Sequence, residues 1–212
     1  MDISIYKNRR ENLQELLPEN SVLLIPGAET QYRNSDSSFP FRQESSFYYL
    51  SGFCEPASLI AITKKDNQIT SLIFVPPKDK LKEIWDGYRA GPLGAVEDFL
   101  FDKAYDNTQI DEMLPDILFG SDIVLYPIGK KNGFDQKVID WTSEASKKDR
   151  HSKSINISDA TSIIGNARLI KDEHEISLIK KACSISADAH IEAMKSVKGG
   201  DSEQFIESMY IH

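Results

Sequence analysis

Apolar and polar positions switch between helical and strand-like spacing along this chain, and the switches predict its elements. Residues 7–17 set Leu13, Leu16 and Leu17 on one side of an opening helix that Pro18 stops, and 21–26 (SVLLIP) follow as a continuous apolar run of strand length. Residues 57–63 (ASLIAIT) and 69–75 (ITSLIFV) are apolar and β-branched, and the polar stretch from Lys64 to Gln68 between them is a hairpin signal. Helical spacing returns over 94–101 and 108–118, a buried strand is predicted at 122–126 (DIVLY), and 134–148 is again helical. A short last strand is expected at 154–157. Strands alternating with helices, plus one hairpin, predict an α/β domain with a mixed sheet and helices on both faces.

The pattern changes near residue 158. Residues 159–164 predict a short helical turn, 168–170 link, and Asp172 opens the longest periodic helix, with Glu175 placed to complete a capping box. Ile176, Ile179, Cys183, Ala187, His190, Ile191 and Met194 form one stripe on it, which requires a partner surface. Gly199 and Gly200 end that helix, Asp201 is placed to cap another, and the sequence stops inside it at His212. The expected organisation is a domain over 1–158, a linker over 159–171 and the start of a second, incomplete domain over 172–212.

Residues 33–53, reading RNSDSSFPFRQESSFYYLSGF, follow neither period. Phe39 and Phe41 flank Pro40, Phe47, Tyr48 and Tyr49 run together, and Arg42 and Gln43 lie between the two groups. This is either a loop packed down by its own rings or a structured loop entering a buried segment, with a guanidinium free to stack on a ring or hold a carboxylate. Trp85, in EIWDGYRAGP, is read as lying in a polar, glycine-rich loop, where it either anchors the loop or reaches a partner or ligand.

Composition narrows the function. The 212 residues carry 25 Lys and Arg against 33 Asp and Glu, a net charge of -8, which disfavours nucleic acid as a partner. The basic groups Lys7, Arg9, Arg10 and Lys147, Lys148, Arg150 read as solvated helix faces. Cys54 and Cys183 form no disulfide framework and are expected as small buried hydrophobes in a reducing compartment. No apolar leader and no membrane-length apolar run is present, so a soluble cytoplasmic protein is expected.

Chemical motifs are sparse. There is no nucleophile elbow, no paired-histidine zinc motif and no phosphate-cradling glycine pattern. His151, His174, His190 and His212 are scattered, and His190, on the apolar stripe, reads as a core imidazole. The carboxylate pairs Asp111 with Glu112, Asp172 with Glu173 and Glu203 with Glu207 sit where helix starts and surfaces favour negative charge. No catalytic residue and no metal ligand is assigned.

The order of residues is more specific than their composition. RNSDSSFPFRQESSFYYLSGFCEP followed by a hydrophobic hairpin, EIWDGYRAGP, and ARLIKDEHEISLIKKACSISADAHIEAMK together resemble bacterial aminopeptidase P, the Xaa-Pro aminopeptidase family, with 94–153 matching only in general pattern. The resemblance implies a creatinase-like N-terminal α/β domain followed by the first helices of a pita-bread catalytic domain. It also implies two divalent metal ions, usually manganese, held by ligands that lie further along the family's sequence than His212. The implied substrates are peptides with proline at the second position, and the implied assembly is a homo-oligomer, dimer or tetramer. In bacterial members the Trp of the EIW loop reaches a neighbouring subunit's active site, so the resemblance assigns substrate binding to Trp85, while the aromatic segment shapes a domain edge near an interdomain or intersubunit surface. The expected function is that of the N-terminal part of such a peptidase, inactive alone. The alternatives are a non-catalytic oligomerisation or binding module of the same fold, or a relative of prolidase or creatinase.

Overall fold

The computed structural model describes residues 2–148 and 154–211, so Arg150, His151 and His212 lie outside the described residues. The chain divides into two compact units, Met1–Ala167 and Arg168–His212.

The first unit is built on one six-stranded sheet. Its strands are β1 (Ser21–Pro26), β2 (Leu59–Lys65), β3 (Gln68–Val75), β4 (Lys103–Asp106), β5 (Ile123–Tyr126) and β6 (Asn156–Asp159). Their order is β4-β3-β2-β1-β5-β6. β1–β2 and β2–β3 are antiparallel, whereas β3–β4, β1–β5 and β5–β6 are parallel, so the sheet is mixed as expected. The hairpin turn is tighter than the sequence predicts: Lys65 pairs with Gln68, leaving Asp66 (φ 53) and Asn67 (φ 58) as a two-residue loop. Two left-handed residues in succession match the twist of the flanking strands, and Asp and Asn tolerate that conformation.

Strand side chains alternate between faces, and each face is covered. Leu23, Ile25, Ile60, Ile62, Ile73 and Val75 pack on one side with Leu13 of the 3-10 turn that follows α1 (Ser4–Asn12) and with residues from α2 (Ser45–Ser51), α4 (Gly91–Glu97) and α7 (Thr161–Leu169). α3 (Lys80–Asp86) precedes α4, and none of its described side chains is buried. Val22, Leu24, Ala61, Phe74, Val124 and Tyr126 face the other way, onto α5 (Ile110–Leu118) and α6 (Phe134–Lys147). The central strand β1 is buried along its whole length, which explains its unbroken apolar run.

Residues 159–171, read as linker, hold the end of β6 and then α7, whose Ile164 is buried with Ala160 in the first unit's core. The basic group at the N-terminus departs further from expectation. Lys7 is exposed and pairs with Glu11, but Arg9 and Arg10 are buried. Arg10 donates to the carbonyls of Leu50 (2.8 Å) and Phe99 (3.1 Å) and lies 3.9 Å from the centre of the Phe101 ring. Burial pushes its guanidinium down to about 10. A planar fork that satisfies several carbonyls at once is what allows an arginine to stay there.

The second unit holds α8 (Glu173–Ser196) and α9 (Glu203–Ile211). The expected capping box is present: Asp172 accepts from the Glu175 amide (2.7 Å), and Glu175 accepts from the Asp172 amide (3.1 Å). Asp201 does not cap α9; its carboxylate takes the Lys198 amide, and the Ser202 hydroxyl accepts from Phe205. Ala193 is the one buried residue of α8 within this chain. Cys183 and His190 are therefore exposed rather than buried, as is Cys54 in the first unit. His190 donates from Nδ1 to the Ser186 carbonyl (2.7 Å) and meets the Tyr210 ring edge-on.

Candidate functional site

Two segments that the sequence marks as unusual, the aromatic segment and the Trp85 segment, meet at one side of the sheet. β1 leads through Gly27 into the aromatic segment, and Gln43 organises it. The buried Gln43 amide accepts from Ala28 N (2.7 Å) and Glu44 N (2.9 Å) and donates to the carbonyls of Phe53 (3.3 Å) and Glu55 (2.9 Å). A side-chain amide offers two N–H donors and a separate acceptor oxygen, so ionised Glu or Leu at this position leaves backbone groups unpaired. A Cβ on Gly27 would lie 3.1 Å from the Gln43 oxygen and 3.0 Å from the Ser58 carbonyl, which keeps this strand exit to glycine.

Beyond Gln43 the chain turns into α2, a helix that aromatic crowding hides from periodicity. Glu44 caps it by accepting from Phe47 N (2.7 Å), and Gly52 ends it in the left-handed region. Phe47, Leu50 and Phe53 enter the core, and the Tyr49 hydroxyl donates to the Ala167 carbonyl (2.8 Å). The guanidinium that stacks on a ring is Arg9, 4.3 Å from the Tyr49 centroid, and not Arg42, which is exposed. Before Gln43 the rings behave oppositely: Tyr32, Phe39 and Phe41 are exposed on a loop closed by the Tyr32–Ser38 bridge.

Trp85 lies on a short helix, α3, rather than in the predicted loop. Asp79 caps it by accepting from Leu81 N (3.0 Å) and Lys82 N (3.3 Å), and Gly87 ends it at φ 87. Leu81, Ile84, Trp85 and Tyr88 recur at helical intervals, yet all are exposed, Trp85 at 87%. The indole has no ring or hydrogen-bond partner among the described residues, so it does not anchor the segment. What holds α3 is its stem. Lys78 lies 4.8 Å from the Tyr88 ring centre, Glu83 accepts from Arg89 N (3.0 Å), and Gly91, at φ 64, approaches so closely that a Cβ would sit 3.1 Å from Lys78 Cβ. Glu55, two residues after the aromatic segment, accepts from Ala90 N at 2.7 Å.

Other candidates are accounted for structurally. Asp111 accepts from the Trp141 indole (3.0 Å) and pairs with Lys137 (3.6 Å). A cavity of about 350 Å³ beside Pro26, Leu59, Phe134 and Trp141 is bordered by Lys131 and Lys137, but Lys131 pairs with Glu29 at 2.7 Å. Among the described residues no group of three or more His, Cys, Asp or Glu side chains could hold a metal ion, so the residues present do not fit a two-metal centre. No helix among them is long and apolar enough to cross a membrane.

Comparison with known proteins places this geometry. The family profile of the aminopeptidase P N-terminal domain matches residues 6–126. The Xaa-Pro aminopeptidase of Haemophilus influenzae is 31% identical over 98% of this chain and 46% of its own length, and that of Escherichia coli is 30% identical over 98% and 48%. The chain thus spans about half the length of the curated relatives it matches. Among solved structures, proline aminopeptidase P II from Yersinia pestis superimposes with a TM-score of 0.94 at 29% identity, covering 100% of this chain and 49% of that one. Aminopeptidase PepP of Pseudomonas aeruginosa gives 0.92 at 31%, covering 100% and 48%. Escherichia coli aminopeptidase P with the inhibitor Pro-Leu gives 0.92 at 29%, covering 99% and 48%. With more than half of its length matched by that domain, and with the expected mixed sheet and flanking helices, this chain belongs to the aminopeptidase P family.

Proposed function

We propose that this chain acts as the N-terminal half of an Xaa-Pro aminopeptidase, which removes the N-terminal residue from peptides with proline at the second position. The sequence relatives that carry this name, matched over 98% of the chain, support the reaction class. Residues 1–158 form the N-terminal domain in this reading, 159–171 lead out of it, and 172–212 begin the catalytic domain. The metals, a divalent pair and by preference manganese, belong to residues of that domain other than those described, and their chemistry is activation of a water for attack on the bond before proline. By itself the 212-residue chain is inactive. The enzyme is cytoplasmic and works as a homo-oligomer.

Within this reading Trp85 lines the substrate pocket of a neighbouring subunit. The observation that carries it is the α3 lobe: a capped helix on a closed stem whose apolar residues Leu81, Ile84, Trp85 and Tyr88 are all exposed. An indole held out from a fixed base is suited to wall a pocket it does not itself contain. The reaction is tested with two peptides that differ only in proline or alanine at position two, given to the peptidase that contains this chain. Release of the first residue from the proline peptide alone is expected; equal release from both, or from neither, overturns the assignment.

A further inference from the structure

Glu55 lies two residues beyond the aromatic segment, but its carboxylate works on the Trp85 lobe. Oε1 accepts from Ala90 N at 2.7 Å across thirty-five positions of chain. Oε2 is buried and has no hydrogen-bond partner among the described residues. Glu55 is also held in place from behind, because its backbone carbonyl accepts from the Gln43 amide (2.9 Å), and Gln43 in turn clamps the start of α2 and the exit of β1. Pro56 follows it and fixes the backbone there. The contacts that shape the lobe internally, Lys78 with Tyr88, Lys78 with Gly91 and Glu83 with Arg89 N, define its form, while its bearing on the sheet is set by Ala90, buried in the core together with Ala95 of α4, and by the bond that Ala90 N makes to Glu55. Glu55 to Ala90 crosses from the rigid segment to the lobe.

We propose that Glu55 is a positioning residue for Trp85: it ties the stem of the α3 lobe to the Gln43-centred segment and so fixes the direction in which the indole projects. The inference rests on the reading of Trp85 as a pocket wall for its functional meaning, though not for its structural content. A buried carboxylate oxygen left unpaired is costly, and the other oxygen of the same carboxylate is spent on the Ala90 amide. Burial pushes the Glu55 carboxyl up, opposed by the Ala90 hydrogen bond and the charge of Arg89, so the group is strained by desolvation where it stands.

The chain contains 2 Trp, so 5-fluorotryptophan labelling yields two fluorine resonances, with that of Trp85 identified by its loss in Trp85→Phe. Glu55→Ala, which removes the acceptor, and Glu55→Asp, which withdraws it by one methylene, are expected to shift or broaden the Trp85 resonance while that of Trp141 stays fixed. Glu55→Gln, which keeps an acceptor at the same reach, is expected to superimpose on the wild type. Should Glu55→Ala not fold, Glu55→Asp against Glu55→Gln decides. An unmoved Trp85 resonance in Glu55→Asp overturns the proposal, as does an equal change at Trp141, which marks a merely structural role. In the peptidase, Glu55→Asp is expected to raise KM in the same sense as Trp85→Ala, by up to about 100-fold if the indole is displaced by roughly 1 Å. If the resonance moves but Trp85→Ala leaves kinetics unaltered, the positioning stands and the pocket reading falls; if Trp85→Ala impairs the enzyme and Glu55→Asp changes neither resonance nor KM, the reverse holds.

Discussion

α2 and α3 are nearly the same helix by local chemistry and opposite by tertiary fate. Each spans 7 residues, each is capped by a carboxylate (Glu44 and Asp79), and each ends at a glycine with positive φ, Gly52 at 65 and Gly87 at 87. α2 buries Phe47, Leu50 and Ser51, whereas α3 buries none of its described side chains. The difference lies in what surrounds them. α2 is met by α1, whose Arg9 and Arg10 donate to the carbonyls of Tyr49 and Leu50 and whose Tyr6 packs over Gly52. α3 is held only from below. Caps and stops thus specify that a helix forms, while the role of its apolar side chains depends on partners that caps do not encode. The core helix serves stability, and the exposed one keeps its apolar side chains unpacked.

The largest expected break in this comparison is truncation of one ring on each helix. Phe47→Ala is expected to cost about 3–5 kcal/mol as a core cavity, against about 0.5 kcal/mol or less for Trp85→Ala, both from urea unfolding midpoints. Comparable losses would mean that α3 packs as α2 does. The terminal glycines give the next largest contrast. Gly52→Ala places a Cβ within 2.6 Å of the Tyr6 ring as well as straining the backbone, and is expected to cost roughly 2–4 kcal/mol. Gly87→Ala meets no atom within 4 Å, carries the backbone strain alone and is expected to cost about 1–2 kcal/mol. Thermal melts of the two variants compare them directly.

The smallest effect concerns Glu55, which joins the two helices' surroundings. Its carboxyl is raised in the folded protein, so it binds a proton more readily there than in the unfolded chain. That contribution to stability is present below the ordinary glutamate range and fades as pH rises through the raised value. Glu55→Gln does not titrate. Its stability relative to wild type is therefore expected to improve as pH rises through that window and to level off above it, read from unfolding midpoints between about pH 4 and 8. A difference independent of pH would show that burial does not perturb the group.

Much of the fold was legible because its elements carry their own period. β1, the hairpin, β5, α6 and α8 show in the apolar pattern, and the Asp172 capping box is local by construction. β4 was not legible: Lys-Ala-Tyr-Asp has no strand signature, and it pairs at the sheet edge through register with β3. Arg9 and Arg10 read as surface cations because the carbonyls that take them lie 40 and 89 positions away. Cys183 and His190 fell on an apolar stripe, but the described residues bury no member of that stripe, Ala193 beside it being the buried residue of α8. At the candidate site, Trp85 stood out as a large ring among polar neighbours, and the helix that carries it was signalled by the helical spacing of Leu81, Ile84, Trp85 and Tyr88 behind the Asp79 cap, which the polar, glycine-rich residues after Trp85 obscured. Glu55 gave no signal, its meaning residing in a contact with Ala90.

The central claim is that the exposed indole of α3 belongs to a substrate pocket. Steady-state kinetics of Trp85→Ala in the peptidase that contains this chain, across Xaa-Pro peptides of increasing length and with metal content measured in parallel, tests it most directly. The account predicts a raised KM or lowered turnover that becomes more pronounced for longer peptides, with metal content unchanged. Kinetics equal to wild type at every length would contradict it.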